Sequence, residues 1–154
     1  MAICKPAEIK EKLAKNQAVL GLDLGTKTIG LAISDVGLMI ASPLTTIART
    51  KFTKDFAALE KVIAERQVGA LVLGLPVEMD GTEGPRVQAT RSFADEVLKR
   101  RDIPIAFWDE RLSTAAVQRM LTDEADLSRK RRAEVVDKMA AAYILQGMLD
   151  SLPR

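Results

Sequence analysis

The sequence contains no histidine. That excludes Ser-His and Cys-His catalysis, His-assisted ribonuclease chemistry and His-ligated zinc within this chain. Any enzyme built from it must work with carboxylates, lysines or hydroxyls, and an all-oxygen set suits a hard metal. Cysteine is nearly absent too: Cys4 stands alone. No disulfide can form within the chain, which fits a reducing compartment. Aromatic residues make up only 4% of the chain, inside an apolar fraction of 47%. The core must therefore be mostly Val, Ile, Leu, Ala and Met. No apolar run approaches the roughly 20 residues of a membrane span. The N-terminus also lacks the long apolar centre of a signal peptide. The expectation is a cytoplasmic protein with no membrane partner. The net charge of +2 does not by itself point to nucleic acid; local clustering of charge matters more.

The 154 residues suit one domain of ordinary size. Residues 1–16 read as a peripheral N-terminal arm, with a short helix between Ala7 and Lys15, and residues 17–152 as the domain. The stretch from Ala18 to Asp35 reads as two strands joined at Gly25-Thr26-Lys27-Thr28, where Gly25 could supply a positive φ. A third strand is expected over Met39 to Ile47. Phe52, Phe56, Leu59, Val62 and Ile63 recur with helical spacing inside a helix from Lys51 to Gln67, which Gly69 should end. Ala70 to Leu75 is wholly apolar, as in a strand buried on both faces. A Gly- and Pro-rich loop from Pro76 to Arg86 leads to a helix over Val87 to Arg100, then a strand over Ile103 to Trp108. Ser113-Thr114 can cap a helix through Leu121, and a deeply packed helix is expected over Glu134 to Leu149. The order implies an α/β fold: a mixed five-stranded sheet with helices on both faces.

Three acids stand out. Asp23 interrupts an apolar strand, where an unpaired carboxylate is costly to bury. Glu110 lies just past the last strand, and Asp137 interrupts the apolar pattern of the last helix. Each has a structural reading. Asp23 could serve the turn, Glu110 could pair with Arg111, and Asp137 could cap its helix or pair with a basic neighbour. The joint reading is a site where all three converge. Clustered carboxylates repel unless a cation joins them. Oxygen ligands favour magnesium or manganese. Such ions could activate a water and stabilise the leaving oxygen of a phosphodiester. The run Arg129, Lys130, Arg131, Arg132 stands just before the helix carrying Asp137, and could hold phosphates. Lys27 and Arg86 lie on loops that could border the same cleft.

Four segments carry a resemblance. They are Gly21 to Gly30, Gly74 to Pro76 with Met79 to Pro85, Trp108 to Ser113, and Asp137 to Gln146. In this order they resemble the YqgF family of pre-16S ribosomal RNA nucleases, also described as Holliday-junction-resolvase-like. The resemblance implies a ribonuclease H-like fold and magnesium- or manganese-dependent phosphodiester hydrolysis. It further implies a bacterial cytoplasmic role in maturing the 5′ end of 16S ribosomal RNA, with precursor 16S rRNA as the partner. The family's acidic positions fall on Asp23, Glu110 and Asp137, which would be both catalytic and metal-holding. Two other readings compete. One is a non-catalytic nucleic-acid-binding factor in ribosome assembly or transcription. The other is a DNA-junction resolvase, which would want a dimer. The residues alone do not choose between monomer and homodimer, or between one metal ion and two.

Overall fold

The computed structural model describes residues 3–77, 80–112 and 129–153, with backbone alone for 129–137. The helix expected to begin at Ser113 and the polar stretch that follows it to residue 128 lie outside the described residues.

A six-stranded sheet forms the middle layer, in the order β1-β6-β5-β2-β3-β4. The strands are β1 (Ile3–Cys4), β2 (Ala18–Leu24), β3 (Thr28–Ser34), β4 (Ala41–Ala48), β5 (Val68–Leu75) and β6 (Ile105–Asp109). β2, β3 and β4 form the expected antiparallel meander. β5 runs parallel to β2, and β6 parallel to β5. The sheet therefore has six strands where the sequence led us to expect five. The extra one, β1, pairs Ile3 with Ile105 and Cys4 with Ala106. Two residues are too few to show a period in sequence, and the backbone hydrogen bonds of β6 supply what the pattern lacks. The N-terminal residues continue through α1 (Ile9–Lys12), which sends Ile9 wholly into the core.

The sheet is covered on both faces. α2 (Phe52–Glu65) and α3 (Pro85–Arg100) pack on one side through Phe56, Leu59, Ile63, Phe93 and Val97, against Leu20, Leu22, Leu71 and Leu73. α4 (Arg129–Ser151) packs on the other, setting Ala141, Ile144, Leu145 and Met148 against Val19, Val72 and Ala106. The odd and even residues of β2 and β5 thus feed different cores, as strand alternation requires. All eight residues of β5 are buried, which accounts for its unbroken apolar run.

Two turns differ from expectation. Gly25 does not adopt a positive φ; the turn closes through Gly25 N–H donating to Thr28 O at 2.9 Å. Gly69 lies inside β5, and α2 is followed instead by Gln67 at φ 53°. At the head of α3, Gly84 is the N-cap and Pro85 takes the first turn, where its missing N–H costs nothing.

Candidate active site

Asp23 is fixed in the strand by its register with Gly30 of β3. Leu22 pairs with Leu73 of β5, so the next residues, Asp23 and Gly74, come level with each other. Gly74 in turn pairs with Trp108 of β6, and Leu75 with Asp109. Just beyond β6 the chain turns through a 3-10 segment, Glu110–Leu112. That turn folds Glu110 back over the sheet: a Cβ placed on Gly74 would stand 3.1 Å from Glu110 Cγ. Asp23 and Glu110 are therefore brought together around Gly74, on the face covered by α4.

Both acids are deeply buried, with 1% of Asp23 and 4% of Glu110 exposed. Asp23 Oδ2 and Glu110 Oε1 are withdrawn from solvent. Burial alone does not mark a site, because Asp55 is as buried, at 4%. Asp55, however, accepts from Thr50 N–H at 3.1 Å and Thr50 Oγ1 at 3.3 Å at the start of α2, a structural role. Asp23 and Glu110 stand instead at the carboxyl end of parallel strands, the usual ligand-binding edge of an α/β sheet.

The backbone also carries position 137 toward this end. A Cβ on Gly21 would meet Leu145 Cβ at 2.8 Å and the Ala141 carbonyl oxygen at 3.1 Å, so this stripe of α4 lies directly over β2. Farther along the helix, Gln146 accepts from Ala41 N–H at 2.8 Å and donates to Met39 O at 3.0 Å. Ala41 pairs with Ser34, and Ser34 Oγ accepts from Val19 N–H at 2.8 Å. The late part of α4 thus lies at the Val19 end of β2, and α4 runs opposite to β2. One turn before Ala141 is Asp137, two residues on from Gly21 is Asp23, and these steps go the same way. The side chain of Asp137 lies outside the described residues, as do those of Arg129, Lys130, Arg131 and Arg132. Among the described residues no group of three or more acidic, histidine or cysteine side chains is assembled.

Neighbouring charges sort themselves clearly. Arg111 does not pair with Glu110. It grips Asp109, with Nη2 donating to Oδ2 at 2.6 Å and Nε to Oδ1 at 3.1 Å. These hydrogen bonds hold the Asp109 carboxyl below its usual range, against some desolvation. On the loop after β5, Thr82 N–H and Oγ1 donate to Asp80 and lower its pKa as well. Lys27 and Arg86 are exposed at the rim, where Arg86 Nη2 donates to Leu24 O at 3.4 Å. Arg49, which sequence reasoning missed, donates through Nη1 to Gly25 O at 2.7 Å. Nothing in its local sequence marks it, because it follows β4 and meets the turn only through the fold.

Two carboxylates within one dry patch fit a hard divalent cation: the donor set is all oxygen, and a positive ion offsets their repulsion. No described helix is long and apolar enough to cross a membrane.

Comparison with known proteins identifies the family. Residues 17–151 match the family model RuvX, described as Holliday junction resolvase. A protein of Paramagnetospirillum magneticum named "Putative pre-16S rRNA nuclease" is 65% identical over 151 residues, spanning 98% of this chain and 97% of that protein. One of the same name from Rhodospirillum rubrum is 59% identical, spanning 100% and 96%. Among solved structures, Thermus thermophilus RuvC in complex with Holliday junction substrate superposes with a TM-score of 0.55 at 15% identity, covering 88% of this chain and 98% of that one. That likeness supports the ribonuclease H-like fold. With its full-length relatives and its family match, the chain belongs to the RuvX (YqgF) family of nucleases.

Proposed function

We propose that this protein is a magnesium- or manganese-dependent nuclease whose reaction is centred on Asp23, Glu110 and Asp137, and that its substrate is precursor 16S ribosomal RNA. The observation that supports this best is the burial of Asp23 and Glu110, one level with Gly74 and the other against it, at the carboxyl edge of the sheet. Asp23 and Glu110 would hold the cation, with Asp137 supplying a further oxygen from α4. When bound, a divalent ion polarises the phosphodiester and activates the attacking water.

The chain's own residues contribute orientation and exclusion of solvent. Ile144 fills the space beside Glu110, since a Cβ on Gly74 would meet its Cδ1 at 2.5 Å. Ile144 is itself wholly buried, so it closes that side of the pocket to water. The grip of Arg111 on Asp109 removes one cation that would otherwise compete for Glu110. Lys27, Arg86 and the basic run at Arg129 to Arg132 would hold backbone phosphates around the cleft. The RNA assignment is supported by the name carried by the full-length relatives. The family description favours a second reading, cleavage of a four-way DNA junction.

The test is direct. Purified wild type and Asp23→Asn are incubated with precursor ribosomal RNA and with a synthetic four-way junction, each with and without manganese. Wild type should cut the RNA only with metal, and the variant should cut neither. Cleavage by Asp23→Asn at the wild-type rate sinks the assignment. Cutting of the junction alone transfers the activity to DNA.

A further inference from the structure

Arg49 and Arg86 come from distant parts of the chain and meet at one turn. Arg49 is fixed twice: its backbone N–H donates to Lys27 O at 2.8 Å and its Nη1 to Gly25 O at 2.7 Å. Arg86, in the first turn of α3, reaches the adjoining carbonyl of Leu24. Between them lies a cavity of about 60 Å³, also lined by Thr26 and Thr90. That is several times the roughly 10–15 Å³ that one water needs on the same measure, room for the oxygens of a phosphate.

The other arginines around α3 and β6 are neutralised. Arg91 pairs with Glu83, Arg100 with Glu96, Arg101 with Glu60 and Arg111 with Asp109. Among the described residues, neither Arg49 nor Arg86 has a carboxylate partner. Two like charges held at one small cavity repel each other, and an anion between them reverses the sign. Each guanidinium has five donors, so the carbonyl bonds leave most of them for that anion. The turn begins after Leu24, the residue that follows Asp23, so the cavity lies at the same end of β2 as the acids, on the α3 side of the sheet.

We propose that Arg49 and Arg86 together clamp one backbone phosphate of the nucleic-acid strand at the β2–β3 turn and so set its position relative to the acids. The inference rests on the nuclease reading above and deepens it. Arg49 and Arg86 are positioning residues; the chemistry remains with the carboxylates.

The test separates binding from cleavage. Affinity of the full-length protein for a synthetic single-stranded RNA is measured over a salt series, with calcium replacing manganese to prevent turnover. Arg49→Gln and Arg86→Gln should each weaken binding about tenfold and flatten the slope of log K against log salt by about 0.7. Their combination should cost less than the sum, because both act on one phosphate. Arg66→Gln, an exposed control, should change nothing. RNAs carrying one neutral methylphosphonate at successive positions then locate the contact. One position should weaken the wild type and leave the double variant unaffected. Arg49→Lys, which keeps the charge without the fork, serves if the glutamine variant fails to fold, and should retain the salt slope while losing affinity. Unchanged slopes, or two different methylphosphonate positions for the two arginines, would overturn the clamp. Metal-independent cutting, or cutting by Asp23→Asn at the wild-type rate, would instead overturn the metal-dependent reading centred on Asp23.

Discussion

Glu110 Cγ lies against the bare Cα of Gly74, so the acid that follows β6 occupies the space a side chain on β5 would need. Gly74→Ala puts a methyl 3.1 Å from that Cγ and 2.5 Å from Ile144 Cδ1. The isoleucine end can rotate away, whereas Glu110 is held by the 3-10 turn. The expected outcome is a drop in kcat of at least tenfold, a scale set by about 1.4 kcal/mol of misplacement. The thermal midpoint should fall only modestly. Single-turnover cleavage and a melting curve on the same preparation check both halves.

Removing either carboxylate tests the cation directly. Magnesium or manganese should raise the thermal stability of the wild type, by about 2.7 kcal/mol at a hundredfold excess over Kd. Asp23→Asn and Glu110→Gln should lose most of that rise while remaining folded. Calorimetry with and without chelator reads this without any substrate. Equal metal stabilisation in wild type and both variants would separate these acids from the ion.

Gly21 makes a harder contact than Gly74. An added methyl meets Leu145 Cβ and the backbone oxygen of Ala141, neither of which can swing aside. Gly21→Ala should therefore displace α4 and cost about 1–3 kcal/mol. Urea denaturation should show a lower midpoint with little change in slope.

Gln146 ties α4 to the β3–β4 turn through Ala41 N–H and Met39 O. Gln146→Ala leaves the half-buried Ala41 amide without its acceptor, at a cost of about 1–3 kcal/mol. Hydrogen exchange at Ala41 should accelerate in the variant ahead of exchange in β5.

Asp109 and Arg111 give a pH signature. The Asp109 carboxyl is held below its usual value of 3.8, first by the Arg111 side-chain hydrogen bonds. A lowered folded pKa stabilises the protein above the unfolded value, and the effect fades as pH falls through the folded one. Wild type should therefore exceed Asp109→Asn in stability above about pH 4, with the difference vanishing in stronger acid. The pair is partly exposed, so the difference should be small and reduced by salt. Denaturation midpoints of both proteins from pH 2 to 7 measure it.

The sequence alone determined the meander, the alternation of strands and helices from β2 to β6, and the prominence of Asp23 and Glu110. These are written in short-range terms: alternation in β2, a continuous apolar run in β5, and acids where apolar residues are expected. It also carried four spaced motifs, enough to point to the family. Tertiary structure decided what no local pattern encodes. Strand β1 exists because β6 offers a free edge, and Glu110 turns inward because Gly74, far away in sequence, has no side chain. Arg111 chose Asp109 over Glu110 through the geometry of a 3-10 turn. Arg49 joined Arg86 because β4 returns the chain to the turn it had left. Such relations depend on which segments lie side by side, and periodicity along a single chain carries no record of that.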